Sequence, residues 1–218
     1  MEKTKELKRF LKKNLKWIVL FIGVIAFLEI AQEVCSNELM KRDIIGYNLI
    51  SKYLISDIAT PIAKFITQFG GVIGLITITI ILFIAIKDKK IGLSIILNLA
   101  IVGSLNQILK RIVQRPRPTE FRLIDESGYS FPSGHSMASA AFYGFLIYLI
   151  HKKIKNRKLK IILITLLSIL IILIGISRIY LGVHYTTDVL AGFFISISYL
   201  TVYTSIIDDY IGTSKDRQ

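Results

Sequence analysis

Apolar residues in this chain gather into long runs separated by short charged or turn-rich segments, and the runs have the length of bilayer crossings. A helix that spans the hydrocarbon core needs about 20 mostly apolar residues. Six segments qualify, at about 16–33, 68–86, 91–109, 135–151, 161–178 and 187–207. The fifth, from Ile161 to Ile176, is free of charge throughout. The third carries Asn98, Ser104, Asn106 and Gln107, so one of its faces is expected to point into a bundle rather than at lipid. Glu29, late in the first run, is expected at the interface or against a polar group of the bundle.

Between the first and second runs, apolar and charged residues interleave at helical spacing. Leu39, Met40, Ile44, Ile45, Leu49, Tyr53, Leu54 and Ile58 mix with Lys41, Arg42, Asp43, Lys52 and Asp57. This predicts one or two short helices lying in the interface, with a packing or spacer role. No linker, low-complexity tract or repeat divides the sequence. The expected fold is all-α, a six-transmembrane-helix bundle forming one domain over residues 1–218. The run from Trp17 to Ala31 follows a basic start as a signal peptide would. It lacks a small-x-small cleavage site before Gln32-Glu33 and reads as a retained span.

Composition agrees: 53% of the 218 residues are hydrophobic, above the usual range for a soluble domain. The net charge of +13 is compatible with nucleic acid, anionic lipid or an anionic substrate. Most of that charge flanks apolar runs, which argues against nucleic acid. Lysine and arginine also set orientation. Lys3, Lys5, Lys8, Arg9, Lys12, Lys13 and Lys16 precede the first run. Lys87, Lys89 and Lys90 separate the second from the third, and the cluster from Lys152 to Lys160 separates the fourth from the fifth. With the C-terminal tail these segments hold 18 of the 28 basic residues and fall on one side of a six-span bundle. That side is expected to be cytoplasmic, with both termini inside. The single cysteine, Cys35, permits no intrachain disulfide.

One outward segment breaks the charge rule. Lys110, Arg111, Arg115, Arg117 and Arg122 crowd a loop that should be poor in cations. Either the topology is off by one crossing or cations are held there to bind an anion. Neighbouring residues favour the second reading. Three short patterns follow in order: Lys110-x6-Arg117-Pro118, Pro132-Ser133-Gly134-His135 and Ser177-Arg178-x5-His184-x3-Asp188. Each is modest alone, but all lie at the same expected end of the bundle.

With these patterns the chain resembles the type 2 phosphatidic acid phosphatase superfamily over roughly residues 43–200. Agreement is densest from Ser177 to Asp188, and no signature position departs. The resemblance is greatest to small six-span bacterial members acting on phosphatidylglycerol phosphate or undecaprenyl pyrophosphate. It implies a membrane lipid phosphatase that works through a phosphohistidine.

The residue types make sense for that chemistry. Catalysis of phosphoryl transfer is mostly positioning and electrostatic stabilisation. Lys110, Arg117 and Arg178 supply three cations, and arginine offers a planar fork to two oxygens. Ser133 and Gly134 open the fourth span, where a helix start presents unpaired N–H groups to an anion. His184 and Asp188 are four apart and share a helical face if the sixth span begins there. The carboxylate then fixes one ring nitrogen of His184 and leaves the other free to attack phosphorus. His135 protonates the leaving oxygen and then activates water. The resemblance implies the same roles for these residues. The scheme calls for no cofactor and no metal, and its partners are a lipid phosphate and the bilayer.

Residues outside the patterns receive milder readings. Arg111 and Arg115 are expected to attract anions at the interface. Glu120, Asp125 and Glu126 are expected to be solvated loop carboxylates, and Ser177 to orient Arg178 or pack. Three other functions stay open at this level: a lipid phosphotransferase using the same intermediate, an anion transporter, and a non-catalytic lipid-binding protein.

Overall fold

The computed structural model describes residues 2–36, 41–119 and 122–212, the side chains of residues 2–13 and of Ser51 excepted. Expectations for Leu39, Met40 and Glu120, for the basic side chains from Lys3 to Lys13, and for the tail beyond residue 212 fall outside these residues. The described chain is helical throughout its regular structure. Its elements are α1 (Glu2–Cys35), α2 (Lys41–Leu54), α3 (Ala59–Gln68), α4 (Val72–Ala85), α5 (Lys89–Val113), α6 (Gly134–Lys153), α7 (Arg157–Tyr180) and α8 (Thr186–Gly212).

Among the described residues, four helices are long and apolar enough to cross a membrane: α1 from Asn14, α5, α7 and α8. The second expected run, at 68–86, is interrupted. Gly70 and Gly71 separate α3 from α4, which meet at 52° and make a fifth span only if taken together. α2 and α3 are the short helices expected between the first and second runs, and α3 leads directly into α4. α6 is less apolar than these four, as suits a helix inside the bundle. It packs against α5, α7 and α8, and its Ser136, Ser139, Ala140 and Ala141 are buried in the bundle instead of facing lipid. Small side chains let neighbouring backbones approach, and Ser196 of α8 donates to the Met137 carbonyl at 2.8 Å.

Local chemistry sets the helix ends. Asp88 caps α5 by accepting from the Lys90 amide at 3.0 Å, and Asn156 caps α7 by accepting from the Leu159 amide at 3.1 Å. α5 stops at Gln114, which takes the left-handed conformation with φ of 53°. Phe131-Pro132, just before α6, is a cis peptide bond.

The polar face expected on the third run divides in two. Asn98 and Asn106 are buried in the bundle, where Asn98 meets Tyr199 and Asn106 donates to the Pro132 carbonyl at 3.2 Å. Ser104 and Gln107 instead face a cavity between α4 and α5. Glu29 is exposed. Ile73, Ile76, Ile80 and Ile84 of α4 are also exposed, the pattern of a surface that meets lipid.

Candidate active site

The three sequence patterns meet at one end of the bundle. Lys110 closes α5, Arg117 sits in the 114–133 loop, Ser133 caps α6, and Gly134 and His135 are its first residues. Arg178 lies in the last turn of α7, His184 in the following turn, and Asp188 in the first turn of α8. Lys110, Arg117, Gly134, His135 and His184 all line one cavity of about 1300 Å³. That cavity continues down between α4 and α5 past Leu75, Phe83 and Leu99. Ser133, Arg178 and Asp188 lie behind its wall.

His184 is buried, with each ring nitrogen engaged. Nδ1 lies 3.4 Å from Asp188 Oδ2, and Nε2 lies 3.0 Å from Arg117 Nη1. A guanidinium only donates, so Nε2 is the acceptor and Nδ1 carries the proton toward Asp188. Burial pushes the His184 pKa down to about 4, against the pull of Asp188. Asp188 also accepts from the Tyr185 amide at 2.9 Å. It thus serves as the reciprocal acid of a capping box at the start of α8.

The phosphate-type cations are held in advance. Arg117 Nη1 donates to the Val183 carbonyl at 2.9 Å, and Nε to the Gly128 carbonyl at 3.0 Å. Arg178 is almost wholly buried and donates to Thr67 Oγ1 at 2.8 Å. Lys110 Nζ donates to the Tyr129 carbonyl. Between the arginines sits Glu126, which accepts from Arg178 Nη2 and lies 3.6 Å from Arg117 Nη2. Burial favours the neutral carboxyl of Glu126, but Arg178 and Arg117 outweigh it and hold the group below its ordinary pKa. Glu126 is therefore no solvated loop carboxylate.

Ser133 accepts from the Ser136 amide at 3.4 Å and from its hydroxyl at 2.9 Å, which makes it a helix cap. Its own amide donates to the Asp188 carbonyl at 3.0 Å, tying the starts of α6 and α8 together. Gly134 sits in a tight place: a Cβ there would come 3.1 Å from Asn106 Oδ1. His135 packs on the break between α3 and α4, where a Cβ on Gly71 would sit 3.4 Å from its Nε2. Ser177 bonds within its own helix, to the Ile174 carbonyl at 2.6 Å.

Two residues given milder readings belong to the site's support. Arg115 is no interfacial attractor: it is partly buried and bridges Asp188 Oδ1 and Asp43 Oδ2, each at 2.7 Å. Burial opposes its charge, yet Asp188 and Asp43 outweigh that and raise its pKa. Asp43, expected in a spacer segment, is buried. The one sequence signal for Arg115 was its place two residues before Arg117. Asp43 had none beyond being an acid within an apolar stretch.

The model of the PAP2 superfamily matches residues 91–211. Phosphatidylglycerophosphatase B of Bacillus subtilis (strain 168) is 41% identical over 106 residues, covering 47% of this chain. The chain spans only about half, 51%, of that relative's length. The undecaprenyl-diphosphatase of Sulfolobus acidocaldarius is 27% identical over 206 residues, 88% of this chain and 92% of the relative. Among solved structures, that of a transmembrane PAP2 type phosphatidylglycerolphosphate phosphatase from Bacillus subtilis superposes with a TM-score of 0.72 at 28% identity. It covers 90% of this chain and 98% of that one.

Proposed function

The chain belongs to the PAP2 superfamily, and from that premise we propose that this multi-pass membrane protein is a lipid phosphatase. It hydrolyses a lipid phosphate monoester or pyrophosphate through a phosphohistidine on His184. The observation that carries this is the arrangement at Nε2. The unprotonated nitrogen of His184 lies against Arg117, and a carboxylate already occupies the gap between Arg117 and Arg178. An anion seat thus adjoins a neutral imidazole.

In the first step the phosphoryl group displaces Glu126 from the two arginines, and Arg117 turns from Nε2 to a non-bridging oxygen. Lys110 and the amides at the start of α6 complete the seat. Nε2 then attacks phosphorus as the bond to the lipid oxygen breaks. His135, which takes up a proton as the phosphate anion enters among the cations, gives that oxygen the proton. Asp188 accepts from Nδ1–H and offsets the positive charge that His184 acquires. In the second step neutral His135 takes a proton from water. The resulting hydroxide attacks phosphorus, the P–N bond breaks, and free phosphate leaves.

The substrate class follows from the cavity. Its charged end holds one phosphoryl group, while its apolar end lies between α4 and α5 and accepts a chain. Phosphatidylglycerol phosphate, phosphatidic acid and undecaprenyl pyrophosphate each present that combination. The bilayer arrangement we infer adds α6 as the fourth of six crossings, with both termini cytoplasmic and the site facing outside. Phosphate release by purified protein from these three lipids in mixed micelles tests the reading. Release that is lost in His184→Ala supports it, and equal release by that variant refutes it.

A further inference from the structure

Neither Arg115 nor Asp43 occupies a position in the three patterns, and Asp43 lies outside the residues 91–211 matched by the family model. Arg115 nevertheless bonds Asp188 directly, and the buried Asp43 reaches it through Arg115. α2 is amphipathic in an unusual sense. Its Ile44, Ile45, Leu49 and Tyr53 are exposed, while Asp43 shares the buried face with Ile50, seven residues on. The outer face suits lipid, so the inner carboxylate is the polar group this helix brings to the bundle.

A buried carboxylate is costly unless its oxygens are satisfied, and those of Asp43 are. Oδ2 accepts from Arg115 Nη2 at 2.7 Å, and Oδ1 accepts from the Thr187 amide at 2.9 Å and its hydroxyl at 2.8 Å. Asp43 therefore caps the start of α8 from another helix. Arg115 Nη1 in turn donates to Asp188 Oδ1 at 2.7 Å and Thr187 Oγ1 at 2.8 Å, and its guanidinium lies 3.9 Å from the Tyr185 ring centre. Asp43, Arg115 and Asp188 form a line of alternating charge that ends on the neutral ring of His184. If Arg115 stood alone beside Asp188, its cation would cancel much of the negative charge that His184 feels. Asp43 neutralises that cation, so Asp188 keeps both its angle and its charge.

We propose that Asp43 and Arg115 are positioning residues for the reaction, through which the interfacial helix α2 fixes the carboxylate that orients His184. The inference rests on the reading of His184 as nucleophile. Neither residue touches Lys110, Arg117 or Arg178, so the effect falls on the chemical step and not on the phosphate seat.

The test is steady-state kinetics on phosphatidic acid, with inorganic phosphate as competitive inhibitor. Wild type is compared with Asp43→Asn, Arg115→Lys, Asp188→Asn, Asp43→Asn/Asp188→Asn and His184→Ala. Asp43→Asn is expected to lower kcat at least tenfold while KM and the phosphate Ki stay within twofold. In the Asp188→Asn background it is expected to cost no more than a further twofold, because it acts through that carboxylate. Arg115→Lys keeps the charge but loses the fork, and gives the same split if Asp43→Asn does not fold. The inference is overturned by kcat within twofold of wild type in both single variants. Phosphate Ki rising in step with the loss of kcat also overturns it, as do losses that multiply in the double variant. Full activity in His184→Ala defeats the nucleophile reading itself. Loss there beside unchanged Asp43→Asn and Arg115→Lys defeats only the positioning role.

Discussion

Arg117 Nη1 lies 3.0 Å from Nε2 of His184, and this contact fixes which nitrogen of the buried ring is free of a proton. The same guanidinium reaches Glu126, which stands in the proposed anion seat. The proposed nucleophile and seat thus share one side chain, held on the Val183, Ser127 and Gly128 carbonyls.

His184 stays neutral well into acid. Its folded pKa of about 4 lies below the unfolded value of about 6.5. Protonation therefore opposes folding: the stability His184 contributes is fully present above about 6.5 and is lost as pH falls through 4. The chain has three histidines. Nitrogen NMR of histidine-labelled protein, assigned with His184→Asn, should show a neutral ring protonated at Nδ1 at pH 6. Titration near 6.5, or a proton on Nε2, would count against the geometry.

Glu126 pairs with Arg117 and Arg178, and in the proposed mechanism it competes with the substrate for them. Glu126→Gln removes the competing charge, so inorganic phosphate should bind about tenfold more tightly, equivalent to about 1.4 kcal/mol. The phosphate Ki measures this directly. An unchanged or weaker Ki means that Glu126 assists the arginines instead of occupying their site.

In the proposed mechanism His135 serves both steps in different protonation states, and the choice of leaving group separates them. On a lipid phosphate, His135→Ala should lose about 10²–10⁴-fold in rate. On p-nitrophenyl phosphate, whose leaving group needs no acid, the first step survives and the second does not. A burst of nitrophenolate followed by a slow phase is expected. Linear release at the wild-type rate would remove His135 from the mechanism.

Gly134→Ala places a methyl 3.1 Å from Asn106 Oδ1, beside the Asn106 contact that holds the Pro132 carbonyl. Overpacking of this kind costs about 1–3 kcal/mol. Borne by the transition state, that is about a 5- to 150-fold loss in kcat/KM. An unaffected variant would show that the start of α6 tolerates displacement.

Much of this site was legible in sequence because its chemistry is local. Ser133-Gly134-His135 and His184-x3-Asp188 are spaced by single helical turns, so their geometry follows from where α6 and α8 begin. Long-range partners were not legible. Nothing near Asp43 indicates that it meets Thr187, 144 residues away, and a lone acid in an apolar stretch reads as a surface group. Glu126 misled for the same reason: its loop looks solvated until Arg178 of α7 closes behind it. The fold shows a parallel split. Hydropathy located the apolar runs, but it missed the break at Gly70-Gly71. It also could not show that α6 owes its mixed composition to burial among three neighbours.

The central claim is that phosphorus is bonded to His184 during turnover. Trapping in alkaline detergent with lipid labelled at the terminal phosphate, followed by peptide mapping at alkaline pH, tests it most directly. The account predicts an acid-labile, base-stable phosphopeptide containing His184, formed at a rate no slower than kcat and absent from His184→Ala. Label on another residue, or turnover with no trapped intermediate together with activity in His184→Ala, would contradict it.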